Sequence, residues 1–161
     1  MLRRIQKYIR DNQLLQKGDR VLVCVSGRAD SIALWDVLQR GGYECIIAHC
    51  NFHLRGEESN RDEAFVRAES ERREAKGEKQ QVFVKDFNTE RYAKEHGVSI
   101  EMAARSLRYE WFAKIAKEMT CKAIAVAHHQ NDQAETILLN LKRGTGLRGL
   151  CGMRPKSDNP T

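Results

Sequence analysis

The chain has 161 residues, 41% of them hydrophobic and 31% charged, the composition of an ordinary soluble globular protein of about one domain. No window approaches the ~18 apolar residues of a membrane span, and the start, MLRRIQKYIR, alternates charge with single apolar residues rather than forming the apolar stretch of a signal peptide. The net charge of +6 is concentrated at the ends, with six Lys and Arg against two acids in residues 1–20 and nine against four in residues 103–154, so either a polyanionic partner or a merely basic surface is expected.

Residues 1–13 place Leu2, Ile5 and Ile9 at helical spacing and predict an amphipathic helix. The run Arg20-Val-Leu-Val-Cys-Val25 is short, almost wholly apolar and ends in Ser26-Gly27, the pattern of a strand buried on both faces of a parallel sheet. A helix over 31–40 stops at Gly41-Gly42, a second strand covers 44–49, a long charged helix covers 57–76, and a third strand covers 81–86. A helix over 89–96 ends at Gly97. Ser99 then caps a helix reaching Met119, whose apolar stripe is Ile100, Ala103, Ala104, Leu107, Trp111 and Ile115. A fourth strand over 122–127 and a helix over 132–143, stopped at Gly144, complete the pattern.

Strands alternating with helices predict an α/β fold, a doubly wound, mostly parallel sheet with helices on both faces. Ligands in such sheets sit beyond the carboxyl ends of the strands, here residues 26–31, 49–53, 86–88 and 128–132, where most of the unusual residues fall. Five cysteines (24, 45, 50, 121 and 151) include no CxxC. Three of them lie in or beside apolar strand-like runs, as reduced cytoplasmic core cysteines do, which argues against a zinc or disulfide framework.

The loop Ser26-Gly27-Arg28-Ala29-Asp30-Ser31 joins a buried strand to a helix. Backbone N–H groups and the positive helix end suit phosphate oxygens there, with hydroxyls from Ser26 and Ser31 and a magnesium ligand in Asp30. GxxxxGK[ST] is absent, so it is not a Walker A loop, and a plain capped helix start is the competing reading. In His128-His129-Gln130-Asn131-Asp132-Gln133-Ala134-Glu135-Thr136, Asp132 and Glu135 stand three apart, on one face of the expected helical turn. Two acids there would also simply stabilise a helix start. His129 suits a phosphate contact, or a core or capping role; a zinc site lacks a third ligand at any familiar spacing. Arg105 and Arg108, one helical turn apart, can clamp phosphates or face solvent. The basic, glycine-rich 142–149 suits a loop over an anionic ligand, or an ordinary helix stop.

Five stretches occur in order: SGRADS at 26–31, NFHLRGEES at 51–59, SIEMAARSLRY at 99–109, HHQNDQAET at 128–136 and RGTGLRGL at 143–150. Together, over about residues 18–155, they resemble the catalytic domain of the tRNA(Ile)-lysidine synthetases, a family of PP-loop ATP pyrophosphatases with the adenine nucleotide alpha-hydrolase-like fold. The resemblance implies a ligase that uses ATP and Mg2+ to adenylate C2 of the wobble cytidine, position 34, of tRNA-Ile with a CAU anticodon. The ε-amine of free L-lysine then displaces AMP. It implies pyrophosphate on residues 26–31 with magnesium at Asp30, adenosine near His49 and Asn51, and phosphate charge neutralised by Arg105, Arg108 and His129. It also implies catalytic acids Asp132 and Glu135 that bind magnesium or the ammonium of lysine and assist its deprotonation, and substrate contacts at Arg143, Gly144 and Thr145. A cytoplasmic protein without membrane contact is expected, and a homodimer is allowed.

Two positions depart from the family pattern. Arg28 replaces the second glycine of SGGxDS. A glycine permits φ > 0, so Arg28 is expected either to carry about 1–2 kcal/mol of backbone strain and obstruct the loop or to add a phosphate contact. Asn131 stands where an aspartate is usual, a milder change. The chain reads as one catalytic domain over 1–161, a truncated form of a longer protein whose C-terminal tRNA-binding domains lie elsewhere. Another PP-loop tRNA-modifying enzyme, or a nucleotide-binding fragment inactive alone, are the alternatives.

Overall fold

The apolar runs become neighbours in one sheet of order β3-β2-β1-β4-β5. The structure is a computed structural model that describes residues 2–11, 13–79, 81–130 and 133–140. In chain order the elements are α1 (Leu2–Asp11), β1 (Arg20–Cys24), α2 (Ala29–Arg40), β2 (Glu44–Asn51), α3 (Glu57–Ala75), β3 (Gln81–Asp86), α4 (Thr89–His96), α5 (Ile100–Glu118), β4 (Ala123–Gln130) and β5 (Gln133–Asn140). Strands β1 to β4 are parallel, with Val23 of β1 opposite Ile47 of β2 and Ala125 of β4. Because β1 is sandwiched between strands and covered on both faces, Val21, Leu22 and Val23 are fully buried, which is why the run carries no polar alternation.

One face of the sheet packs Val21, Val23, Cys45 and Ile47 against Leu34, Trp35 and Leu38 of α2, Val66 of α3 and Ile9 of α1. The other packs Leu22, Ile46, Ala48 and Ile124 against Tyr109, Phe112, Ile115 and Ala116 of α5. Helices therefore lie on both faces, as expected. Among the described residues no helix is long and apolar enough to cross a membrane.

Two expectations are corrected. The helix expected over 132–143 is absent: residues 133–140 form β5, antiparallel to β4, with Ala127 opposite Thr136 and Ile124 opposite Leu139. A short apolar run such as Thr136-Ile-Leu-Leu139 suits either state by pattern, and pairing satisfies backbone groups that β4 would otherwise leave bare as an edge. The buried stripe of α5 keeps Ala103 and Ile115 of the predicted one but runs through Tyr109, Phe112 and Ala116. Ile100 is 39% exposed, whereas Phe112 and Tyr109 are nearly sealed. The helix has two neighbours, α4 along its length and the sheet under Phe112 and Ile115, so one straight stripe cannot describe it.

Candidate active site

The chain runs from β1 outward to β2 and β3, then returns to the other side of β1 as β4. The strand order therefore reverses between β1 and β4, and doubly wound sheets take their ligands beyond the carboxyl ends of the strands at such a point. The loop after β1 has a closed set of hydrogen bonds. Ser31 Oγ donates to the Arg28 carbonyl (2.9 Å) and accepts from the Ser26 amide (3.1 Å). The Ser26 hydroxyl lies 3.1 Å from Ser31 Oγ and accepts from the Arg28 amide at 3.3 Å. Both serines therefore fix the shape of the loop, and Ser31 is buried while Ser26 is exposed.

Gly27 takes φ +95°, and a Cβ there would come within 3.0 Å of Asp62 on α3, so glycine is required both for the turn and for the contact. Arg28 has φ −82° and ψ 159°, ordinary extended backbone. The strain expected at Arg28 is absent, because the left-handed residue of the loop is Gly27 and not its neighbour. Arg28 is the N-cap of α2 but makes no side-chain cap bond, in contrast to Asn88 and Ser99, whose side chains accept from Arg91 and Met102 amides. Among the described residues the amides of Gly27 and Ala29 meet no acceptor, and uncapped N–H groups at a helix start are receptors for anionic oxygens. Asp30, half-buried in the first turn of α2, adds a carboxylate at the mouth of the loop.

Behind the loop, His49 is 2% exposed and its Nδ1 donates to the Val25 carbonyl at 2.7 Å, leaving Nε2 buried with no partner. Asn51, also sealed, donates to Glu63 (2.9 Å) and Asn60 (3.3 Å) of α3 and accepts from the His53 amide (3.0 Å). The hydrogen bond from Asn51 is the main cause holding the Glu63 carboxyl below its ordinary range, helped by Arg67. The His49 side chain thus ties β2 to the end of β1, and that of Asn51 ties β2 to α3. His53, at φ +54°, turns its ring to Asp86 (2.8 Å) at the end of β3.

On the opposite face, Arg105 is exposed and its guanidinium lies 5.5 Å from the Tyr109 ring centroid. Arg108 is half-buried, 5.3 Å from the same centroid, with Nε sealed from solvent and unpartnered. Its charge acts to lower the pKa values of the Cys24 and Cys50 thiols. Burial nevertheless dominates at both thiols, pushing Cys50 up to about 12 and Cys24 well above its usual value.

His129 lies in β4, opposite Ala134, and Glu135 lies in β5, opposite His128. The one-face helical geometry expected of Asp132 and Glu135 does not hold, because Glu135 sits on a strand; Asp132 itself, with Asn131, Arg143, Gly144 and Thr145, lies outside the described residues. Sequence reading missed Asp62, Glu63 and Asn60, which pack α3 against the loop and the end of β2. Within a helix as uniformly charged as α3, nothing in the spacing singles them out.

A mostly parallel α/β sheet with a glycine-turned loop where its strand order reverses is the architecture of nucleotide-binding domains. A family model described as a PP-loop domain matches residues 1–160. The chain belongs to the PP-loop family. It is 53% identical over 154 residues to a tRNA(Ile)-lysidine synthase of Bacteroides thetaiotaomicron, covering 96% of this chain and 35% of that protein. A tRNA(Ile)-lysidine synthase of Porphyromonas gingivalis is 52% identical over 157 residues, covering 97% and 34%. The chain thus spans about a third of the length of these curated relatives. The U34-tRNA thiolase NcsA of Methanococcus maripaludis, solved with its [4Fe-4S] cluster, shares the fold with a TM-score of 0.58 at 16% identity, over 81% of this chain and 46% of that one.

Proposed function

We propose that this domain carries out the ATP-dependent step of lysidine formation on tRNA-Ile as part of a longer protein. The observation that carries the reading is the loop 26–31, shaped for phosphate oxygens, in a chain 53% identical to a tRNA(Ile)-lysidine synthase. In this reaction the C2 oxygen of cytidine 34 attacks the α-phosphorus of ATP and pyrophosphate leaves. The ε-amine of free lysine then adds at C2, loses a proton, and AMP departs with the oxygen. A C2 oxygen is a poor leaving group and AMP is a good one, which is why ATP is consumed.

The amides of Gly27 and Ala29 would hold the departing pyrophosphate, on a loop that the two serine hydroxyls keep in place. Asp30 would hold a magnesium ion carried on the nucleotide's phosphates; a hard carboxylate oxygen suits that ion, and such sites use one or two carboxylates plus substrate oxygens. The bound ion supplies neutralisation of phosphate charge. Arg108, Arg105 and His129 would meet charge growing on the phosphates, Arg108 from a half-buried position where its charge is less screened. Asp132 and Glu135 would receive the lysine ammonium and its proton, and Arg143, Gly144 and Thr145 would contact the substrate. A polyanionic second substrate is supported by the basic outer face of α1, where Arg3, Arg4, Lys7 and Arg10 are exposed.

Pyrophosphate exchange by the full-length protein tests the reading. Exchange into ATP is expected only with tRNA bearing cytidine 34, and lysine incorporation only when ATP is also present. Exchange that ignores the tRNA, or that requires a uridine at position 34, would overturn it.

A further inference from the structure

The loop 26–31 is walled by an acidic residue of α3. Asp62 of α3 packs its backbone and Cβ directly on Gly27, at 3.0–3.2 Å from where a Cβ would stand, and its side chain is 22% exposed. An acid so close to a polyphosphate site is a liability, because like charge raises the cost of bringing in a highly charged anion. Asp62 is not left bare: Arg55, from the segment between β2 and α3, places Nη2 2.5 Å from its Oδ2. The arginine is itself fixed, since its amide donates to the Oγ of buried Ser59 at 3.2 Å. Its other nearby acid, Glu58, is 3.9 Å away and more exposed, so the close, charge-assisted bond is to Asp62.

We propose that Arg55 is a positioning residue for nucleotide binding that acts through Asp62, cancelling the charge of the acid whose backbone and Cβ Gly27 admits against the loop. Asp62 is kept because its backbone and Cβ wall the loop; Arg55 makes that wall electrically neutral. This rests on the reading of loop 26–31 as the phosphate site. It assigns to Arg55 an indirect role, distinct from a phosphate ligand and from a purely structural tie.

The test is calorimetric titration of ATP·Mg2+ into the full-length protein at low and at moderate salt, with melting temperatures to confirm folding. Arg55→Ala is expected to weaken binding roughly tenfold at low salt, and less at higher salt as the exposed Asp62 carboxylate is screened. Asp62→Asn is expected to bind at least as tightly as the wild type. The double variant Arg55→Ala with Asp62→Asn should return to within about twofold of Asp62→Asn, and Arg55→Lys should keep most of the affinity. A double variant as weak as Arg55→Ala alone overturns the proposal, since Arg55 would then touch phosphate or shape the loop itself. So does a salt-independent defect. A wild-type protein that binds no ATP overturns the phosphate reading, and this proposal with it.

Discussion

Arg28 shows how one dihedral angle redirects an argument. Replacing a glycine by arginine in a phosphate loop predicts strain, yet the backbone at Arg28 is extended and the left-handed turn belongs to Gly27. Arg28→Gly therefore releases no strain. It removes an exposed positive charge beside the loop and leaves the helix start intact, since glycine is a tolerated N-cap. The expected outcome is ATP·Mg2+ binding equal to or a few-fold weaker than that of the arginine form, read by calorimetry, and tighter binding would show that Arg28 obstructs the site. The motif was legible as a tight strand–helix loop because glycine and paired serines at such a junction supply the turn and its hydrogen bonds. Which residue bends was not legible, because it depends on how closely α3 approaches Gly27.

At the scale of elements, α3 is held by polar bonds rather than by a broad apolar face. Only Val66 enters the core from it, while Arg73, 5% exposed, lies 4.5 Å from the Trp35 ring centroid and bonds Glu69 (2.9 Å) and Gln39 (3.1 Å). Arg73→Ala removes one of the two arginines on Glu69 and leaves Arg72 in place, so the loss is that of charge-assisted hydrogen bonds and is expected to lower stability by about 1.5–3 kcal/mol in urea unfolding. The acids answer to pH in a definite sense. Glu69, mainly through Arg72 and then Arg73, and Glu63, mainly through Asn51, have folded pKa values below the ordinary one. Their contribution is complete above about pH 4.3 and is lost as pH falls through the folded values. Acid unfolding curves should show that loss in the wild type and a shallower one in Arg73→Ala. The caps at Ser99 and Gly97 were readable one residue at a time because they are local. The face of α5 and the pairing of residues 133–140 were not, because each is decided by a neighbour far away in sequence.

Across the whole molecule, charge is arranged against local helix stability in one place. Helices α2, α3, α4 and α5 each carry an acid in the first turn, as the helix dipole favours; α1 carries none there, and instead has Arg3 and Arg4. First-turn cations cost roughly 0.3–1 kcal/mol each, and among the described residues Arg3, Arg4 and Arg10 have no carboxylate partner, whereas Lys7 pairs with Asp11 at 3.0 Å. Arg3, Lys7 and Arg10 share the face of the helix opposite buried Ile9. If this face follows an RNA backbone, changing Arg3, Arg4 and Arg10 to Gln weakens tRNA binding and lowers its logarithmic salt slope by roughly 2, without loss of stability or of ATP binding. Filter binding across a salt series measures the slope, and an unchanged slope would leave α1 a solvated face.

The stacking of Arg73 over Trp35 gives the molecule an optical property. The two indoles stand on opposite faces of the sheet. Trp35 is fully buried in α2, the helix that begins at the phosphate loop, while Trp111 is half-buried in α5 and meets the edge of Phe87 at 5.9 Å. A soluble collisional quencher will reach the second fluorophore and spare the first. Emission that survives quenching then reports α2 and the seat of the loop, and emission that is lost reports α5. Intrinsic fluorescence can thus follow the two sides of one sheet separately, with no label attached.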